Sequence, residues 1–189
     1  HTDPDAYKHM VMESLQKQLG MDILPEHIEC FDNSNIQGTN PVSACVVFRN
    51  AVPSKKDYRH FKVKTVVGAN DYATMKEVVN RRYSRMLAEN PDDLPQLVVI
   101  DGGKGQLAFA YEALAELGLT DKLTVIALAE RMEEVYMVGD PYPMFIDRNS
   151  PALKVLQQIR DEAHRFGITF HRKLRSKAQI ESVLSSIKG

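Results

Sequence analysis

The chain has no tryptophan and only two cysteines among its 189 residues. Cys30 and Cys45 both fall in strand-like apolar runs. Two buried free thiols are therefore expected rather than a disulfide scaffold, and a reducing cytoplasm is the expected location. Net charge is almost missing too: 24 Lys and Arg stand against 25 Asp and Glu, so any attraction for a charged partner must come from local asymmetry. No apolar run approaches the roughly 20 residues of a membrane span. No secretory pattern opens the chain, and no membrane association is expected. Repeats and low-complexity segments are absent, as are a Walker A loop and the Gly-x-Gly-x-x-Gly of dinucleotide binding. What remains is the composition of an ordinary soluble globular protein, 43% hydrophobic and 26% charged. It is long enough for one sizeable core.

Two stretches organise this chain. In the first, Ile28, Cys30 and Phe31 form an apolar strand interrupted by Glu29. Asp32 follows where the strand is about to end, and Asn33, Ser34, Asn35 and Gly38 read as a turn. In the second, Leu97-Val98-Val99-Ile100 runs into Asp101 and then Gly102-Gly103-Lys104-Gly105. Two apolar strands that each end in an aspartate can bring two carboxylates together at one edge of a sheet.

Around them the pattern is regular. Residues 1–10 lack a hydrophobic period, end in His-Met and read as a vector remnant. Residues 11–25 give a short helix, closed by Gly20, and a linker. Residues 26–177 form the main domain. It opens with strands near 28–31, 42–48 and 58–67, expected as an antiparallel meander, with a turn at 50–53. A helix follows from Asp71 to about Glu89. Met75, Val78, Val79, Met86 and Leu87 line its apolar face, and Lys76, Arg81, Arg82 and Arg85 lie away from that face. Next come a buried strand at 96–100, a helix at 106–117, a strand at 123–128 and a short strand at 134–138. Ser150-Pro151 starts a helix expected to stop at Gly167. Residues 178–189 form a helical tail. Strands followed by alternating helices and strands give an α/β fold, a mixed sheet flanked by helices. Placing the first strand beside the 96–100 strand makes Asp32 and Asp101 neighbours.

Hard divalent cations such as Mg²⁺ and Mn²⁺ prefer carboxylate oxygens completed by water and phosphate, and phosphoryl transfer is a usual use of such a site. Each acid alone could equally start a turn or cap a helix. Asp71, in Asn70-Asp71-Tyr72, reads most simply as a helix N-cap. His164, near the end of its expected helix, is either favourably placed against the helix dipole or a ligand or general base. His171 is a weaker candidate of the same kind. The Gly102–Gly105 loop could approach a phosphate or be only a tight turn. The basic residues are clustered. Residues 148–177 carry eight Lys and Arg against Asp161 and Glu162, and residues 52–64 carry five against Asp57. Such local fields would draw a polyanion, although a solvated charged face explains either cluster singly.

Three segments, Glu29-Cys30-Phe31-Asp32-Asn33-Ser34-Asn35, Val99-Ile100-Asp101-Gly102-Gly103-Lys104-Gly105-Gln106 and Arg160-Asp161-Glu162-Ala163-His164-Arg165-Phe166, closely resemble the C-terminal endonuclease domain of UvrC, a component of the bacterial excinuclease. Asn80-Arg81-Arg82-Tyr83 does so as well. The resemblance covers about residues 28–177. It implies a ribonuclease H-like fold and a metal-dependent DNA endonuclease making the 5′ incision beside a lesion in nucleotide excision repair. It implies Asp32, Asp101 and His164 around a divalent metal, Mg²⁺ or Mn²⁺, with Asp71 as a further catalytic acid. Candidate DNA contacts are Lys104, Arg81, Arg82, Arg160, Arg172, Lys173 and Arg175. Implied partners are damaged double-stranded DNA and UvrB, the latter through a region outside this chain, with the piece itself expected to be monomeric. Members of the family are much longer and continue into a helix-hairpin-helix module, so this chain reads as an excised catalytic piece. Two other classes compete: a non-catalytic nucleic-acid-binding or adaptor domain, and a nucleotide phosphohydrolase built on the Gly102–Gly105 loop.

Overall fold

A computed structural model describes residues 3–34, 42–63, 71–131 and 133–188, with the side chains of Ser34, Asp71 and Lys188 outside the description. The elements in chain order are α1 (Pro4–Leu19), β1 (His27–Ser34), β2 (Val42–Arg49), β3 (Val52–Pro53), β4 (Arg59–Lys62), α2 (Asp71–Glu89), β5 (Leu97–Asp101), α3 (Gly103–Glu116), β6 (Thr124–Leu128), β7 (Glu134–Met137), β8 (Met144–Phe145) and α4 (Pro151–Lys188). One mixed sheet runs β3-β2-β1-β5-β6-β7-β8, and β4 also pairs with β2. The β1–β2 pair is antiparallel, and β1–β5 and β5–β6 are parallel. This is the mixed sheet flanked by helices that the sequence implied.

The period-2 alternation of the central strands decides which helix covers which face. Ile28 and Cys30 of β1 and Leu97 and Val99 of β5 pack with α1 and α4, against Leu15, Leu156, Ile159 and Ala163. Phe31, Val98 and Ile100 face the other way and pack with α2 and α3, against Val79, Tyr83, Leu107 and Leu114. β1 and β5 are hydrophobic on both faces because both are covered.

Several boundaries differ from expectation, each for a local reason. α1 begins at Pro4, inside the stretch read as a remnant. The Asp3 side chain accepts from the Asp5 N–H, and proline occupies the first turn. The turn at 50–53 ends in the two-residue strand β3, with Asn50 and Ala51 at positive φ. The third strand is shorter than expected, Arg59–Lys62; Tyr58 and Val63 flank it, and 64–67 lie outside the described residues. α3 starts at Gly103, whose φ of +83° favours glycine, so Lys104 sits in the first helical turn rather than in a loop.

The largest difference is α4, one helix of 38 residues that runs through Gly167. A helix ends at glycine when the residue turns left-handed, whereas a glycine kept helical costs only about 1 kcal/mol. Here the neighbouring residues hold the helix on course. The His60 ring of β4 stacks on Phe166 and Phe170 at centroid distances of 3.8 and 4.3 Å, on either side of Gly167. Its Nε2 donates to the Phe166 carbonyl at 2.9 Å. At the other end, the Ser150 hydroxyl accepts from the Leu153 N–H at 3.3 Å, which makes Ser150 the N-cap expected from the sequence.

Candidate active site

Parallel pairing of β1 with β5 sets Asp32 directly beside Asp101 in register. Asp32 shares parity with Ile28 and Cys30, and Asp101 with Leu97 and Val99. Both carboxylates therefore emerge on the α4 side of the sheet, at the carboxyl ends of two central strands. In open α/β sheets this edge is where ligands usually bind.

α4 crosses this edge and presents one face to it. The His164 Nδ1 lies 3.7 Å from the Asp32 Oδ2, and the Arg160 Nε lies 3.2 Å from the Asp101 Oδ1. Residues four apart share a helical face, so one turn supplies a partner to each acid. Gly167 continues that face: a Cβ there would stand 3.7 Å from the Asp32 Oδ2. Arg160 also donates to the carbonyls of Ala129 and Glu130 at 3.3 and 3.4 Å.

The acids are short of positive charge. Their side chains are only 14% and 17% exposed. Burial, and next the Asp101 charge, push the Asp32 carboxyl up to about 6, against the opposing pull of His164 and Arg160. Burial also raises Asp101 although Arg160 touches it. Two carboxylates side by side that remain under-neutralised fit a hard divalent cation better than they fit a structural ion pair. Among the described residues, no three His, Cys, Asp or Glu side chains are gathered closely enough to hold an ion by themselves. A cation at this edge would rest on the two aspartates, with water and phosphate oxygens completing its shell.

The remaining expected residues separate. Asp71 is the first residue of α2, and its carboxylate lies outside the described residues, as does Asn35. Lys104 lines a cleft of about 570 Å³ with Asp101, Arg131 and Arg160. Its Nζ donates to the Pro141 carbonyl at 2.7 Å and sits 6.0 Å over the Tyr136 ring. It is thus turned toward the β7–β8 connection, a poor arrangement for a loop that would cradle a triphosphate. Arg81 donates to the Lys62 carbonyl and lies over the Phe61 ring, at the outer edge of the sheet. Arg172, Lys173 and Arg175 are exposed on α4, 8 to 11 residues beyond His164, about 12–16 Å along the helix axis.

Arg82 is a correction. Expected on the polar face of α2 and among the DNA contacts, it points inward instead. Its Nε and Nη2 donate to the two carboxylate oxygens of Glu29 at 2.9 and 2.8 Å. Glu29 is fully buried and also accepts from the Tyr83 hydroxyl at 2.9 Å and from the His27 Nε2 at 2.7 Å. Burial alone would raise the Glu29 carboxyl. The hydrogen bonds from His27 and Arg82 outweigh it and hold the group at about 2. The sequence reading gave Glu29 no role. Two signals could have revealed it: a lone charge between Ile28 and Cys30 in a strand, and an arginine on the 75–78–79–82–83–86 stripe of a helix. One buried charge in each of two packed elements calls for a pair.

The UvrC RNase H endonuclease domain family matches residues 16–168. The UvrABC system protein C of Flavobacterium johnsoniae is 58% identical over 187 residues, which is 99% of this chain and 31% of that protein. Its counterpart in Porphyromonas gingivalis is 57% identical over the same shares. The chain therefore spans about a third of the length of the curated relatives it matches. Among solved structures, Ciona intestinalis endonuclease V in complex with an inosine-containing 24mer DNA aligns with a TM-score of 0.45 and 14% identity, over 79% of this chain and 87% of that one. Matched over residues 16–168 by one family and over nearly its full length by proteins more than half identical to it, the chain belongs to the UvrC RNase H endonuclease domain family.

Proposed function

We propose that this domain is a metal-dependent DNA endonuclease that makes the 5′ incision of nucleotide excision repair, working within a longer protein that engages UvrB and damaged double-stranded DNA. The observation that carries the reading is the in-register pair Asp32 and Asp101, under-neutralised and faced by His164, in a chain of this family. Asp32 and Asp101 would hold Mg²⁺ or Mn²⁺, which when bound would supply Lewis-acid activation of water and of the phosphodiester. His164, 70% exposed, stands between Asp32 and solvent and can carry a proton outward. Asp71 belongs to the proposed catalytic set through the family resemblance.

The test is incision of a lesion-bearing duplex by the full-length protein with UvrB. A nick 5′ to the lesion is expected with Mg²⁺ and none after chelation. DNA retained without any cut under both conditions would favour the binding-only alternative.

Arg172, Lys173 and Arg175 lie exposed where α4 continues away from the acids; Arg172 and Lys173 border one face with Thr169 and Lys177, Arg175 lies outside it, and together they give this part of the helix a positive surface suited to phosphate. Changing all three to glutamine should weaken duplex binding and reduce the slope of log K against log salt by up to about 2–3, since each phosphate contact contributes roughly 0.9. Filter binding across a salt series reads this directly. An unchanged slope would remove these residues from the DNA path.

A further inference from the structure

Each acid has its own partner on α4, but the two partners differ in kind. His164 faces Asp32 and carries charge only when protonated. Arg160 faces Asp101 and is always charged. The arginine is not loosely placed. Its Nε holds the Asp101 Oδ1 at 3.2 Å, while its Nη1 is anchored on the Ala129 and Glu130 carbonyls after β6. Those carbonyls stand at the rim of the cleft that Asp101 and Lys104 line.

This arrangement conflicts with cation binding at the same carboxylate. A divalent ion needs the Asp101 oxygen lone pairs that face the cleft, and Arg160 already engages one of those oxygens. A guanidinium and a divalent ion a few ångströms apart also repel strongly in a partly buried site. That repulsion favours release of Arg160 from the acid, and its second anchorage on the Ala129 and Glu130 carbonyls keeps it at the cleft rim when it lets go.

We propose that Arg160 is the resident counter-ion of the acid pair: it occupies Asp101 until a divalent cation displaces it, and the released guanidinium then takes the DNA phosphate. This rests on the metal-dependent reading above. Cation and phosphate binding are thereby coupled, each strengthening the other by the same factor. The bare domain binds metal weakly, and the incoming strand both receives Arg160 and completes the ion's shell.

Calorimetric titration with Mn²⁺ tests this on the wild-type domain, Arg160→Gln, Arg160→Lys and Asp32→Asn, with folding checked by circular dichroism. Arg160→Gln should bind Mn²⁺ more tightly than wild type by about tenfold or more, because a nearby positive charge is gone. Arg160→Lys should stay near wild type. A short DNA duplex should tighten Mn²⁺ binding in the wild type by a larger factor than in Arg160→Gln. Equal or weaker Mn²⁺ binding in Arg160→Gln, alongside wild-type binding that Asp32→Asn abolishes, would overturn the proposal and leave the metal reading standing. No Mn²⁺ binding by any form, with or without duplex, would overturn both. The wild-type comparison needs no substitution: an Mn²⁺ affinity unchanged by duplex overturns the coupling.

Discussion

Asp32→Asn and Asp101→Asn should each lower the rate of 5′ incision by on the order of 10³-fold or more, because each removes an anionic oxygen set from a two-acid site. The same substitutions should not damage the fold. For Asp32 the direction is the opposite. Its carboxyl is held at about 6 by burial and by the Asp101 charge. In the unfolded chain an aspartate titrates near 4. The folded state keeps the proton to higher pH, so stability falls as pH rises through roughly 4 to 6. Below that window both states are protonated and the effect vanishes. Above it the ionised acid costs the metal-free protein up to about 3 kcal/mol. Asp32→Asn should therefore melt at a higher temperature than wild type at pH 7 without metal, and the advantage should shrink towards pH 4. Calorimetric melting across that range, set beside an incision assay, separates this outcome from its alternatives. An inactive but less stable variant would mean that the acid supports the fold instead. A fully active variant would remove Asp32 from the chemistry.

Arg82→Met should destabilise the domain by about 3–5 kcal/mol, a large share of the roughly 5–15 kcal/mol that holds a domain together. The arginine supplies two hydrogen bonds to the fully buried Glu29, whose other partners, His27 and Tyr83, cannot replace a fixed positive charge. Replacing both members together, Glu29→Gln with Arg82→Met, should recover much of the loss, since the unpaired charge is the main penalty and an amide at that position still meets the Tyr83 hydroxyl. The pH signature has its own sign. Glu29 is held at about 2 by His27 and Arg82 against the effect of burial, below the roughly 4.3 of an unfolded glutamate. Its contribution is present above pH 4.3 and is lost as pH falls towards 2. The double variant should lose that part of the acid-unfolding profile. Urea midpoints for the two singles and the double complete the cycle. If Arg82→Met left stability unchanged while weakening DNA binding, Arg82 would return to the surface role first expected of it.

The two outcomes reflect a difference between kinds of information in the chain. Asp32 and Asp101 were legible because their signals are local: an apolar run, then an acid, then turn residues or glycines. The same holds for the continuous apolar run that becomes β5, buried on both faces, and for the Ser150-Pro151 start of α4. The shared parity of Asp32 with Ile28 and Cys30, and of Asp101 with Leu97 and Val99, was also written in the strands. Parallel pairing then set the two carboxylates side by side in register.

The remaining features depend on contacts across long sequence separations. Arg82 meets Glu29 across 53 positions, and Arg160 reaches Ala129 across 31. A charged side chain reads as exposed until the element that buries it is known, and from the sequence alone Arg82 faces solvent. Gly167 read as a stop because glycine permits the left-handed turn that ends helices. His60, brought by β4 between Phe166 and Phe170, kept the backbone helical. Propensity and periodicity act within a few residues, so they alone set which residues could do chemistry and that the 96–100 strand would be buried. Folding decided which charges neutralise one another and which face α4 presents to the acid pair, because those energies exist only once distant segments are packed together.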